Sequence, residues 1–67
     1  MRTRITVIFD GEKFDYELKE SKETVLNELN NIKSENGFLE FIDIYGHYVR
    51  ITPSRVPVME ITELEED

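Results

Sequence analysis

Apolar and polar side chains alternate along residues 2–9, with Ile5, Val7 and Phe9 on one side and Arg4, Thr6 and Ile8 on the other. That is the period of a strand buried on one face. Asp10-Gly11 interrupts the run, and alternation resumes with Phe14, Tyr16 and Leu18 against Lys13, Asp15 and Glu17. Two such runs joined through Asp-Gly predict a β-hairpin. With Asp10 and Gly11 as the loop residues, Val7 stands opposite Phe14, Ile5 opposite Tyr16 and Arg4 opposite Glu17. Apolar then meets apolar and cation meets carboxylate. A Gly11-Glu12 turn also sorts the faces but sets Arg4 against Lys19, so the first register is preferred.

The period then changes to that of a helix. Val25, Leu26, Leu29 and Ile32 form one apolar stripe, with Lys22, Glu28 and Lys33 off it. Ser21 is placed to cap the N-terminus, and Glu23 lies in the first turn, where the helix dipole favours negative charge. Asn36-Gly37 supplies a left-handed stop, so a helix is expected over about residues 22–34, with Leu29 at the centre of its buried stripe.

A second hairpin is expected from residues 38–44 and 48–52. A Gly46-His47 loop, with glycine first as a type II′ turn requires, sets Ile44 opposite Val49, Ile42 opposite Ile51, Asp43 opposite Arg50 and Tyr45 opposite Tyr48. A Tyr45-Gly46 loop would pair Phe41 with Arg50 and Glu40 with Ile51, which is worse on both faces. In the preferred register Phe38, Ile42, Ile44, Val49 and Ile51 face the helix, and Leu39, Phe41, Tyr45, Tyr48 and Arg50 face away. One helix covers one face of a sheet, so an aromatic patch with an arginine would lie open unless a fifth strand, the acidic tail or strand twist covers it. Such a composition marks interaction surfaces. Pro53-Ser54-Arg55 reads as a turn. Residues 56–62 could add a fifth strand, with Pro57 confined to its start or to an edge.

These elements predict an α+β fold of order ββαββ(β), one helix packed on one face of a four- or five-stranded, largely antiparallel sheet. The domain would occupy residues 1–62, with residues 63–67 a disordered acidic tail. The apolar positions Ile5, Val7, Phe14, Tyr16, Leu18, Val25, Leu29 and Ile32, in a hairpin followed by a helix and Gly37, resemble the opening of the ubiquitin-like β-grasp fold. The resemblance covers residues 5–37, about half the chain, and implies a mixed sheet as the alternative architecture. The second hairpin begins directly after the helix, and the sequence ends in Glu-Glu-Asp without the Gly-Gly of the conjugated modifiers. A modifier role is therefore not implied.

Size and charge narrow the function. A 67-residue chain buries only about 60% of the surface its unfolded form exposes, and small domains often lean on disulfides, a metal or a second chain. There is no cysteine, and His47 is the only histidine, so disulfides and the usual zinc sets are absent. The formal charge is −7, but all eight basic and ten of the fifteen acidic side chains lie in residues 1–59, a net of −2. The acidity is concentrated in residues 60–67, and a net negative chain disfavours nucleic acid. No apolar run reaches the roughly 18 residues of a membrane span, and the basic start, Met1-Arg2-Thr3-Arg4, leads straight into a strand rather than a signal sequence. A cytoplasmic location without membrane contact is expected.

The candidate chemistry is sparse. General acid–base work by His47 would need a second group to orient it in a cleft, and it falls in a turn, where a solvated side chain is expected; Ser21 is explained as a cap. Asp10-Gly11-Glu12 lacks the acidic spacing of a calcium loop. No catalytic residue, metal site or cofactor is expected, and enzyme is the weakest class. The expectation is a non-enzymatic protein-interaction module, self-associating as a homodimer or binding an unidentified partner, through Leu39, Phe41, Tyr45, Tyr48 and Arg50. Two alternatives remain: a nucleic-acid-directed protein with Phe41, Tyr45, Tyr48 and Arg50 as a stacking platform, aided by Arg2, Arg4 and Arg55, or an acidic tail acting as a decoy in a basic groove.

Overall fold

The first hairpin forms in the expected register in a computed structural model that describes residues 2–65. Strands β1 (Arg2–Phe9) and β2 (Glu12–Leu18) are antiparallel, with Val7 opposite Phe14, Ile5 opposite Tyr16 and Arg4 opposite Glu17. Asp10 and Gly11 both have positive φ, 51° and 77°, as in the two-residue turn whose twist matches that of the strands. The carboxylate of Glu17 lies 3.4 Å from the Arg4 guanidinium and 3.5 Å from that of Arg2. Each such partly exposed pair contributes under about 1 kcal/mol, so the apolar pairs and the turn set the register.

Helix α1 spans Lys22–Asn30. The Ser21 hydroxyl accepts the Thr24 N–H at 3.2 Å, which is the expected cap. The helix stops about four residues earlier than predicted. Asn31 closes it in a right-handed conformation, with its N–H directed at the carbonyls of Asn27 and Glu28. Asn30 and Asn31 are weak helix formers, and Ile32 turns back on Leu29 through a 3.1 Å N–H···O bond and packs against the core. Gly37 is not a left-handed stop, since its φ is not positive. A β-carbon there would run into the Ile32 side chain, and that close approach is what requires glycine. Within the apolar stripe Val25 is buried, Leu29 is half-buried and Leu26 is exposed, so Val25 anchors the helix rather than Leu29.

Strand β3 (Leu39–Ile42) pairs with β4 (Tyr48–Ile51), a short 3-10 helix follows at Pro53–Arg55, and β5 (Val58–Leu64) closes the order ββαβββ. β5 lies antiparallel to β1 on the side away from β2, with Ile61 opposite Ile5 and Met59 opposite Val7. Pro57 directly precedes it, and β5 is an edge strand, where a residue without an N–H is tolerated. The strand runs two residues past the expected boundary at 62, with Glu63 and Leu64 paired to Thr3 and Arg2. The rest of the expected tail, Glu66 and Asp67, lies outside the described residues, as does Met1.

The α+β class and the antiparallel pairing are as expected. The strands, however, divide into one sheet of order β2-β1-β5 and a separate β3-β4 sheet instead of joining in one. Among the described residues all three pairings are antiparallel, and no mixed sheet forms. The core lies between the layers: Ile5, Val7 and Leu18 from the first sheet, Val25 from the helix, and Leu39, Phe41 and Ile51 from the second sheet. Tyr16 meets Phe41 edge to face, with ring centroids 6.0 Å apart. Burying each large aliphatic side chain contributes roughly 1.5–3 kcal/mol. The buried hydroxyls are partnered, Thr3 donating to the Glu20 carbonyl at 2.7 Å and Thr6 to the Asp15 carboxylate at 2.6 Å. No helix among the described residues is long and apolar enough to cross a membrane.

Leu39→Ala is expected to cost about 2–5 kcal/mol, as for a buried leucine, and Ile42→Ala to stay within about 0.5 kcal/mol, as for a surface substitution. Urea denaturation of the two variants checks this. The opposite ranking would restore the register with Ile42 inside.

Candidate functional site

The link between β3 and β4 determines which side chains the second hairpin presents. The Asp43 N–H bonds the His47 carbonyl at 2.9 Å, the Gly46 N–H bonds the Asp43 carbonyl at 3.0 Å, and Gly46 has φ 87°. This is a three-residue loop, Ile44-Tyr45-Gly46, with glycine in the left-handed position that such loops require. The Asp43 carboxylate holds it together: Oδ1 accepts the N–H groups of Tyr45 at 2.9 Å and His47 at 2.8 Å, and Oδ2 lies 3.1 Å from His47 Nδ1. Burial pushes the Asp43 carboxyl pKa up, but the backbone and ring hydrogen bonds from His47 and the Tyr45 N–H outweigh it and hold it below its ordinary value. The Ile44 N–H bonds the Glu17 carbonyl at 2.9 Å, which ties the loop to the end of β2.

The three-residue loop overturns the expected register. Val49 lies opposite Phe41 rather than Ile44, and Ile51 opposite Leu39 rather than Ile42. The slip is an odd number of residues, so the two faces of β3 exchange places. Of the five residues expected on the open face, Leu39 is 3% exposed and Phe41 7%, and both belong to the core. Tyr45, Tyr48 and Arg50 are exposed as expected. Phe38 and Ile42, which the sequence reading turned toward the helix, are exposed instead, Ile42 at 58%. Asp43 and Gly46 stand at the first and fourth positions of a turn, a residue pattern that favours this loop and would have found the register.

The outward face therefore presents Glu40, Ile42, Tyr48 and Arg50, with Phe38 and Tyr45 beside them. The Arg50 guanidinium lies 4.0 Å from the centre of the Phe38 ring, a cation–π stack. The Tyr48 hydroxyl donates to the Glu40 carboxylate at 2.7 Å, and the Tyr45 ring centroid lies 6.4 Å from that of His47. β5 belongs to the other sheet and does not cover this face by pairing with it. The stacking platform expected for nucleic acid loses Phe41 to the core. His47 is exposed in the loop, and its ring is held by Asp43. Among the described residues, no group of three or more His, Cys, Asp or Glu is placed to hold a metal ion. No family model, curated protein or solved structure matches the chain.

The lowered pKa of Asp43 sets the sign of a pH effect. A carboxylate whose pKa falls on folding stabilises the native state above its unfolded value, about 3.9, and loses that contribution as pH drops through the folded value. Asp43→Asn is thus expected to be less stable than wild type at pH 7, with the gap closing below about pH 3.9. Urea unfolding of both proteins from pH 7 to pH 2 measures it. A gap independent of pH would show that the charge of Asp43 does not brace the loop.

Proposed function

We propose that the chain is a non-enzymatic protein-interaction module that works through the outward face of its second hairpin, with a second copy of itself as the first occupant to test. One observation supports this above the others. Of the eight large apolar or aromatic side chains left exposed among the described residues, four lie on this hairpin: Phe38, Ile42, Tyr45 and Tyr48. Aromatic residues and arginine are the types enriched at interface centres, and Arg50 is stacked in place on Phe38 before any partner arrives. The modest core of so short a chain adds a thermodynamic reason, since association removes further apolar surface from water. A cytoplasmic location fits this reading and is part of the proposal.

Ile42→Glu is expected to leave monomer stability nearly unchanged while abolishing association, because a charge would be buried without a partner. Tyr48→Ala should weaken association by about ten-fold or more, as loss of an aromatic anchor does. Sedimentation equilibrium across a concentration series, beside urea denaturation of the same variants, separates the two effects. A wild-type chain that stays monomeric at millimolar concentration removes self-association. If neither variant changes the association state of a self-associating chain, this face is not the contact.

A further inference from the structure

The inner face of the first sheet is not covered along its whole length. Toward the tip of the first hairpin Phe9 is 51% exposed and Phe14 41%. With Tyr16 and Val56 they line a groove of about 350 Å³ that also includes Arg50 and Arg55. Fifteen of the 67 residues of the chain are acidic, yet none of the groove's lining residues is. The Arg55 guanidinium makes no hydrogen bond or ion pair among the described residues. Arg50 rests on Phe38, and Glu40, its cross-strand neighbour, is engaged by the Tyr48 hydroxyl instead. An apolar slot thus lies beside Arg55, a cation that no carboxylate of the described chain neutralises; Arg50 also borders the slot, but its guanidinium is stacked on Phe38.

That combination selects a ligand with an apolar group next to negative charge. The forked donors of arginine match a carboxylate in a bidentate way. A groove of this size is at the lower end of ligand sites, which run roughly 300–1,000 Å³, and suits a side chain more than a large cofactor. We propose that the groove docks an acidic peptide segment of a partner protein. A leucine- or phenylalanine-sized side chain enters between Phe9, Phe14 and Tyr16, and a flanking carboxylate meets Arg55. Charge argues for a short peptide over nucleic acid. Ions screen the −7 of the whole chain beyond about 8 Å at physiological salt, so local cations decide for a short segment. A nucleic-acid strand long enough to stack would carry its phosphates past Arg55 and along the acidic remainder. The site is separate from the hairpin face, since Phe9, Phe14 and Arg55 lie off that face, and Arg50, which borders both, turns its guanidinium onto Phe38.

The test is fluorescence anisotropy with a fluorescein-labelled peptide of two leucines flanked by glutamates, its glutamine counterpart, and a single-stranded oligothymidylate of similar length. The glutamate peptide should bind saturably, and the glutamine peptide about ten-fold or more weakly, because a hydrogen bond to a charged group contributes enough for that ratio. Arg55→Glu and Phe9→Ala should each reduce binding by a similar factor, while Ile42→Glu, on the hairpin face, should not. Arg55 is exposed at the end of a 3-10 helix, so its variant keeps the test valid if Phe9→Ala fails to fold. The proposal is overturned by any one of several results. These are no saturable binding of the glutamate peptide at millimolar protein, equal binding of the glutamine peptide, unchanged binding by a folded Arg55→Glu, or tighter binding of oligothymidylate. The last would make the groove a nucleic-acid site. Loss of association in Ile42→Glu with peptide binding intact would show that the two surfaces act independently.

Discussion

The hydrogen bonds of the Asp43 carboxylate decide which half of the second hairpin is buried. By accepting the N–H groups of Tyr45 and His47 and meeting the His47 ring, Asp43 closes a loop that needs three residues and a left-handed Gly46. Because side chains alternate along a strand, loop length is equivalent to a choice of face. Three residues put Leu39 and Phe41 into the core, and a loop one residue shorter or longer would put Glu40 or Ile42 there. Carboxylates are rarely buried without pairing. This one is tolerated because N–H groups of its own loop replace the water it loses.

The first sheet depends on a different arrangement. β1 pairs on both edges, with β2 and with β5, so its backbone groups are satisfied without the second hairpin. Its inner face supplies Ile5 and Val7 to the core. The second sheet pairs with neither edge of the first, so packing must do what a shared ladder does in a single sheet. The Tyr16–Phe41 contact and the Ile44 N–H to Glu17 bond are the joints. Both lie at or next to the loop of Asp43, so the register of one hairpin and its docking to the other are set by the same few residues.

What the sequence made legible follows from the range of each signal. The first hairpin was readable because Asp10-Gly11 favours one turn and because its apolar and charged pairs agree on one register. The N-terminus of the helix was readable for the same local reason, since Ser21 needs only the backbone three residues on. Its C-terminus was not, because Ile32 leaves the helix to reach the core, a tertiary effect that the apolar spacing conceals. In the second hairpin Phe38, Leu39, Phe41, Ile42 and Ile44 place apolar groups on both faces, so alternation could not choose between registers and only loop chemistry could. Of the five surface residues read from sequence, Tyr45, Tyr48 and Arg50 are exposed in either register. Leu39 and Phe41 were lost with the faces, and Phe38 and Ile42 took their place. The division into two sheets was not legible either, because nothing local distinguishes a strand that joins a sheet from one that packs on it.

Facing opposite charges pair on the first hairpin and not on the second. On the first hairpin Glu17 takes Arg2 and Arg4, and Asp15 takes the Thr6 hydroxyl. In the second half the corresponding pairing fails despite a favourable register. Glu40 lies directly across from Arg50, yet its carboxylate accepts from Tyr48, and Arg50 turns onto Phe38. One side of that guanidinium is therefore shielded from water by a ring, while its donors make no ion pair with the described chain. A cation so placed keeps its hydrogen-bonding capacity and has already given up part of its hydration, which lowers the desolvation cost to an incoming carboxylate. Acids outnumber bases nearly two to one in this chain, so an arginine without a carboxylate is not explained by scarcity. It follows from the register that Asp43 imposes, because that register brings Tyr48 within reach of Glu40.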